Sequence, residues 1–301
     1  MKGIKAMESN QGPLANKILF SDIDGTCMHD PKVDAGRSLT AGNVLLTTPP
    51  STSGRVGVIS SATIDMVAAY RKQGLKFVVV TGARLSTLLM RLPYLPYADA
   101  LVCENGGRIF YPGSSLETAC PLTEDLEWRT AQGAAGPAQQ DATAPEARQG
   151  ILWEYYRQLK SEGWPLDANG YTTSFRMTVK GKSQEQLQAA ISAAPKELQS
   201  TFNLGHADFY PASSGKVGAA RHLIQRFGTS FDLATFMCDD DNDLDLAAVV
   251  AKAFLPTHTS ESVKRAIAAR PEHFVLASKQ GTEATEEMLV KVGQYYQGGL
   301  T

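Results

Sequence analysis

Cysteine is scarce here and scattered. The four thiols of the 301-residue chain (Cys27, Cys103, Cys120 and Cys238) stand far apart and form no C-x-x-C pair. That gives little support to a zinc site or a disulfide framework, and it fits free thiols in a reducing compartment. An excess of either charge is missing too: 29 Lys and Arg face 31 Asp and Glu, a formal net charge of −2. Without a broad basic field, binding to nucleic acid or to an anionic membrane loses its main driving force. No apolar run approaches the roughly 18 residues of a membrane span. Met1–Asn16 has no apolar stretch behind a positive end and little arginine, so neither a secretory signal nor a transit peptide is expected. No internal repeat is evident. The expectation is a cytoplasmic protein whose oligomeric state is not legible.

What is present suits a globular chain. Apolar residues make up 43% and charged residues 20%, and the length fits about two domains. Short β-branched runs alternate with amphipathic segments, as in an α/β sheet. Lys17–Asp22 is an apolar run ending in a carboxylate. Ser60–Gly74 reads as a helix capped by Ser60 or Ser61 and stopped by Gly74. Lys76–Thr81 reads as a strand buried on both faces. Ala100–Cys103 is a further strand, followed by a Glu-Asn-Gly-Gly turn and a return over Arg108–Tyr111. Near the carboxyl end, helices are predicted over Lys216–Phe227, Leu244–Ala251, Ser260–Arg270 and Thr282–Gln297. Strands are predicted there over Leu233–Cys238, Lys252–Leu255 and His273–Leu276.

The middle reads differently. Ala131–Gly150, rich in Ala, Gln, Gly and Pro, looks like a loose surface loop. Ile151–Glu162 and Ser183–Ala194 read as helices, Tyr171–Lys180 as a half-exposed strand, and Leu198–Tyr210 as one or two strands. The expected architecture is a doubly wound, Rossmann-like parallel-sheet core over 1–111 and 206–301, with an α+β domain inserted over 112–205. Pro31–Val58 separates the first strand from its helix, and Leu45–Ser53 within it reads as an excursion rather than a regular element.

Ligands of an open parallel sheet bind beyond the carboxyl ends of its strands. The first strand delivers Asp22-Ile23-Asp24-Gly25-Thr26, the next ends at Thr81-Gly82, and a later one runs into Asp239-Asp240-Asp241-Asn242-Asp243. Carboxylates gathered in this way repel one another without a cation, and oxygen-only donors suit Mg²⁺. Phosphate binds beside them only where a metal and a lysine offset the charge. Lys216 opens a helix after Ser213-Ser214-Gly215, where its ammonium and the free helix N–H groups both serve an anion. Singly, each piece has an ordinary alternative: a turn or helix cap, a solvated lysine, a solvated acidic loop. The combination is more specific.

That combination resembles the haloacid dehalogenase superfamily. Its first motif matches Asp22–Thr26, its second Thr81, its third Lys216 and its fourth Asp239–Asp243. The long interval between Thr81 and Lys216 is where this superfamily carries a type II cap. The α/β alternation inside it looks like the C2B cap of the Cof-type and sucrose-phosphate-phosphatase-like branch. Glu104-Asn105-Gly106 resembles that branch's turn after the third strand. Two departures stand out: Cys238 occupies a position usually held by Gly, which requires that no positive φ be needed there, and Pro31–Val58 is longer than the usual link. That segment is either a flap over the site or a surface decoration.

The resemblance implies a phosphatase acting on a small phosphorylated metabolite, a sugar phosphate above all. Asp22 would be the nucleophile and Asp24 the general acid and base. Mg²⁺ would be held by Asp22, the Asp24 backbone carbonyl and Asp239, with Asp243 in a supporting or water-mediated role. Thr81 and Lys216 would bind the phosphoryl group, with Gly82, Arg84, Asn105 and Asn242 nearby as substrate-binding candidates. The cap would carry specificity. There, Arg176 and Lys180 share a strand face that either meets a polar substrate or lies exposed. The alternatives are a sugar phosphomutase, a receiver-type signalling domain (far shorter than this chain) and a catalytically silent binder of the same fold. Cys27, Cys103 and Cys238 stand near strand ends, so they read either as oxidant-sensitive thiols or as small fillers beneath the loops.

Overall fold

The apolar runs of this chain lie next to one another in a parallel sheet because their side chains alternate between two buried faces. In the computed structural model, which describes residues 12–37, 42–51, 54–113, 122–179, 181–203 and 205–299, the chain opens with β1 (Ile18–Ser21), β2 (Leu45–Thr47), β3 (Val58–Ser60) and α1 (Ser61–Lys72). It continues through β4 (Lys76–Val80), α2 (Leu85–Arg91), β5 (Ala100–Cys103), β6 (Arg108–Pro112), β7 (Leu122–Glu124) and α3 (Leu126–Ala131). The middle holds α4 (Ile151–Ser161), β8 (Leu166–Asp167), β9 (Phe175–Thr178), α5 (Gln184–Ser192), β10 (Leu198–Asn203) and β11 (His206–Pro211). The last part holds α6 (Gly215–Phe227), β12 (Ala234–Met237), α7 (Leu244–Val249), β13 (Lys252–Leu255), α8 (Glu261–Ala269), β14 (Phe274–Leu276) and α9 (Gly281–Tyr296).

The large sheet has eight strands in the order β14-β13-β12-β1-β4-β5-β6-β7. It is parallel from β14 to β5, and β6 and β7 return antiparallel. Strand alternation sorts its residues. Leu19, Phe77, Val79 and Met237 pack with Val67, Met288, Leu289 and Val292, under α1 and α9. Ile18, Phe20, Val78, Val80 and Phe236 pack with Ala219, Leu223, Leu246 and Val263, under α6, α7 and α8. A fully buried Leu or Phe contributes about 2–3 kcal/mol, so the two faces together fix the register of β1. The chain order reverses on either side of β1, which puts the ligand-binding crevice at the ends of β1, β4 and β12. No described helix is long and apolar enough to cross a membrane.

The small sheet is antiparallel, in the order β10-β11-β9-β8. Phe175, Met177, Ala207 and Phe209 bury one face against Leu152, Trp153, Tyr155, Tyr156 and Leu187 of α4 and α5. The opposite face, with Arg176, Asp208, Tyr210 and Gln199, is polar. Two expected boundaries differ from this arrangement. A cut at 205/206 would divide the β10–β11 hairpin, although both strands belong to the small sheet. A cut at 111/112 would exclude β7 and α3, although β7 extends the large sheet and Trp128 of α3 packs into its core.

Three local expectations are corrected. The stretch Ala131–Gly150 is irregular but firmly braced, since long polar side chains do the work of a ladder. Gln140 donates to the Ala135 and Gln149 carbonyls, Arg148 to those of Thr143, Asp141 and Tyr171, and the buried Arg129 to Gly136 O and Asp141. Leu45–Thr47, expected as irregular, is a strand paired antiparallel with Val58–Ser60. The strand expected over Tyr171–Lys180 shortens to β9, because residues 171–174 turn toward the large sheet; Lys180 lies outside the described residues. Helix α1 is capped by Ser60, whose hydroxyl accepts from Thr63 N.

The long link after β1 is tied to the C-terminal helix. Asp34 accepts from Thr282 N at 3.1 Å, at the start of α9, and Arg37 pairs with Glu286 at 2.8 Å. His29 Nε2 lies 2.7 Å from Thr285 Oγ1, and that hydroxyl donates to the Thr26 carbonyl. The imidazole is therefore the donor, through Nε2–H. Burial pushes the His29 pKa down from 6.5 to about 4, against smaller opposing contributions from Asp34 and Asp24. Between those values the unfolded chain takes up a proton that the native state resists, so stability falls as the pH drops through that window. At most about 3 kcal/mol is involved. His29→Gln should flatten the fall of Tm between pH 6.5 and pH 4, and an unchanged slope would show that this histidine is not responsible.

Candidate active site

The carboxylate expected to react sits at the end of β1. Asp22 N donates to Met237 O at 3.0 Å, which extends the strand pairing by one residue and sets Asp22 beside the end of β12. Lys216, in the first turn of α6, reaches Asp22 Oδ1 at 2.9 Å, and its Nζ also bonds Asp243 Oδ1. Carboxylate oxygens of Asp22, Asp239 and Asp243 lie within 4.8 Å of one another. Burial pushes the Asp22 carboxyl up to about 7; Lys216 opposes this, and Asp243 and Asp24 add to it. Burial and the Asp22 and Asp243 charges likewise push Asp239 up. The same two carboxylates overcome the burial of Lys216 and hold its ammonium charged. One ammonium stands against three carboxylates, Asp22 and Asp243 buried and Asp239 partly so, and their donor set is oxygen only. Those are the conditions a hard divalent cation satisfies.

The acidic run divides its labour. Asp239 and Asp243 face the cluster. Asp240 caps the short turn Asp241–Asp243, accepting from Asp241 N at 2.8 Å, and Asp241 accepts from the Ser260 and Ser262 hydroxyls at the start of α8. Asp239 can approach because residue 25 is glycine: a Cβ there would fall 2.0 Å from Asp239 Oδ2, at φ +79. Thr26 Oγ1 also donates to Asp239, at 3.2 Å. Cys238 does not have a positive φ, so a thiol is accommodated where the resembling branch has glycine.

The Asp24 carboxylate stands apart. It is absent from the cluster, 48% exposed, and paired through Oδ1 with the buried Arg91. Thr81, at the end of β4, is buried and its hydroxyl accepts from Ala83 N at 3.1 Å. Gly82 packs against Asn105 and Asn242; a Cβ there would lie 2.6 Å from Asn105 Oδ1. Asn105 and Asn242 line a cleft of ≈ 290 Å³ together with Lys216, and with Gln199 and Tyr210 of the small sheet.

Arg84 is where expectation and geometry part. Its guanidinium pairs with Asp167 at 2.8 Å, donates to Asn169 O and lies 4.6 Å from the Tyr171 ring centre. It clasps the inserted domain instead of facing the carboxylates. Arg176 is neither exposed nor free: it forms a two-point pair with Asp208, at 2.6 and 2.8 Å, and Asp208 in turn accepts from Asn105 at 3.4 Å. Sequence reasoning missed Arg91 altogether, and it read Glu104 only as part of a turn.

Glu104 is fully buried, and a single oxygen, Oε2, accepts from Thr172 N, Thr173 N and Thr173 Oγ1 at 2.8, 2.7 and 2.9 Å. Both Glu104 and Asn105 have positive φ, 53° and 54°. For residues other than glycine this is uncommon and tends to mark positions held by their surroundings for a purpose. Cys27, Cys103 and Cys238 are all buried. Burial first, then the nearby carboxylates, push each thiol up, so they act as fillers rather than oxidant-sensitive groups; Cys120 lies outside the described residues.

No protein-family model matches the sequence, and no curated protein does either. Solved structures do. A sucrose-phosphatase from Synechocystis, in complex with sucrose and phosphate, aligns over 94% of this chain and 98% of its own, with a TM-score of 0.64 at 13% identity. The chain has the haloacid dehalogenase fold. A sugar phosphatase of haloacid dehalogenase subclass IIB aligns over 93% of this chain and 99% of its own (TM-score 0.57, 15% identity). A protein from Bacteroides thetaiotaomicron, studied among the phosphatases of this superfamily, covers 99% of both chains (TM-score 0.55, 14% identity). At these identities the likeness is one of fold. Within this fold the inserted domain is the cap, and Glu104 joins it to the core. Glu104→Gln should cost about 2–3 kcal/mol, because the carboxylate loses charge-assisted bonds to donors that stay buried. Urea unfolding measures this, and an unchanged midpoint would show that Glu104 does not secure the seam.

Proposed function

We propose that the protein is a Mg²⁺-dependent phosphomonoester hydrolase working through an aspartyl-phosphate on Asp22, with a sugar phosphate or a similar small phosphorylated metabolite as substrate. The observation that carries this reading is the placement of Asp22. It is held by Lys216 beside Asp239 and Asp243, at the strand ends of a fold that this chain has in common with sugar phosphatases. Asp22, Asp239, Asp243 and the Asp24 carbonyl would hold Mg²⁺, which when bound withdraws charge from the phosphoryl oxygens.

The chain's own groups supply the remaining chemistry. Lys216 neutralises the phosphoryl group and orients Asp22, while Thr81 donates its hydroxyl proton to a phosphoryl oxygen. In the first step the bond from Asp22 to phosphorus forms, the bond to the leaving oxygen breaks, and Asp24 gives that oxygen its proton. In the second, water's oxygen bonds phosphorus, the Asp22–phosphorus bond breaks, and water's proton passes to Asp24. Positioning and electrostatics make up most of the catalysis in such transfers. The cleft beside Lys216 is lined by amides and hydroxyls of Asn105, Asn242, Gln199, Thr201 and Tyr210. That composition suits a polyhydroxyl leaving group, as does the sucrose complex of the structural neighbour.

The test is phosphate release from a panel of sugar phosphates, with Mg²⁺ and with a chelator. Asp22→Asn should lower kcat on the order of 10³-fold or more with the fold intact, since an amide is a poor nucleophile. Near-normal release by Asp22→Asn would overturn the mechanism. Movement of phosphate between sugar positions without net release would make the protein a phosphomutase. Neither activity would leave a binding protein of this fold.

A further inference from the structure

Arg91 closes α2 and is one of the most deeply buried cations of the molecule, with a side chain only 4% exposed. Its chain neighbours Leu88 and Leu92 belong to the apolar cluster under the large sheet. A guanidinium in such a place needs a counter-ion, and the partner it takes is Asp24, 67 residues earlier in the chain. The pairing engages Oδ1 alone, and Oδ2 has no hydrogen-bond partner among the described residues. The loop that carries Asp24 is fixed from two other sides, by Asp239 against Gly25 and by Thr285 on the Thr26 carbonyl. What the backbone leaves undetermined is the rotation of the Asp24 side chain, and the guanidinium sets it.

Resting on the phosphatase reading above, we infer that Arg91 is the positioning residue of the acid and base: it anchors one oxygen of Asp24 so that the other carries the proton to the leaving oxygen and later receives one from water. Arginine stays protonated throughout, so it takes no part in the transfer itself. Its burial makes it a rigid anchor, whereas a solvated lysine or arginine would follow the carboxylate wherever it went.

The experiment compares phenyl phosphate with p-nitrophenyl phosphate, because a nitrophenolate leaves without protonation and a phenolate depends on it more. Arg91→Gln should lower kcat on phenyl phosphate by about 10–100-fold, within the range of general acid catalysis, and on p-nitrophenyl phosphate by no more than about 3-fold. Arg91→Lys should recover part of the loss. The double variant Arg91→Gln/Asp24→Asn should be no slower than Asp24→Asn alone, because one device is removed twice. Thermal unfolding of each variant identifies any that fail to fold, and Arg91→Lys then carries the comparison. Equal losses on both substrates, losses that multiply in the double variant, or no loss at all would overturn the positioning role. If Asp24→Asn discriminates between the leaving groups and Arg91→Gln does not, the phosphatase reading stands and this inference falls. A wild-type protein that releases no phosphate removes both.

Discussion

The ammonium of Lys216 sits where three separate parts of the chain meet, and each is held in place by its charge. Asp22 closes β1, Asp243 closes the turn after β12, and Lys216 opens α6; without the cation, two carboxylates would face each other in a buried pocket. Removing one partner of such a pair is costly because the remaining charge is left unpaired. The contacts of 2.9 Å to Asp22 and of Nζ to Asp243 therefore constrain more than the side chains. They require β1 and β12 to end, and α6 to begin, at one level, and the two-faced burial of Ile18, Leu19 and Phe20 permits that.

Around this point the inserted domain is joined to the core by polar contacts of different depth. Glu104 receives four donors, the backbone N–H and hydroxyl of Thr172 and of Thr173, with no exposure to solvent. Arg84 reaches Asp167 and Asn169 nearer the surface, and Asn105 touches Asp208. A seam made of directional bonds fixes an angle as well as a distance. Gln199, Thr201 and Tyr210 are thereby presented to the same cleft as Lys216 and Asn242, and the unusual backbone of Glu104 and Asn105 is the local cost of that arrangement.

What the sequence makes legible, and what it hides, follows the range of the interactions. The strands next to the site are readable because β1, β4 and β12 are continuous apolar runs. Three of the four motifs are readable because each stands directly after one, and Lys216 because it opens a helix after Ser213-Ser214-Gly215. Helix ends such as Ser60, Ser260 and Gly228 are readable from local capping chemistry. Arg84 and Arg91 are not readable: each lies in or beside α2, and each is assigned by a carboxylate far off in the chain, Asp167 or Asp24. A basic residue at the end of a helix normally complements the helix dipole, so nothing local marks Arg91 as buried. The braced stretch 131–150 misleads for the same reason, since its composition is that of a loop while its order comes from Arg129, Gln140 and Arg148. The boundary at 205/206 misses by one strand because β11 is buried like a strand of either sheet, and only its pairing with β10 decides between them.

The loop after β1 brings these threads together. It carries Asp24 and is met by Asp239 at Gly25, by α9 at Thr26 and His29, and by Arg91 at the Asp24 carboxylate. The long link that follows, tied by Asp34 and Arg37 to the start of α9, then has a physical role that neither a flap nor a decoration would have. Through Thr282 and Glu286 it fastens the same helix whose Thr285 holds the Thr26 carbonyl. A group that must give and take a proton at fixed range gains from such preorganisation, because displacement by about 1 Å is enough to cost about 100-fold in rate. In this chain the C-terminal helix, distant in sequence from every motif of the site, helps to set where Asp24 stands.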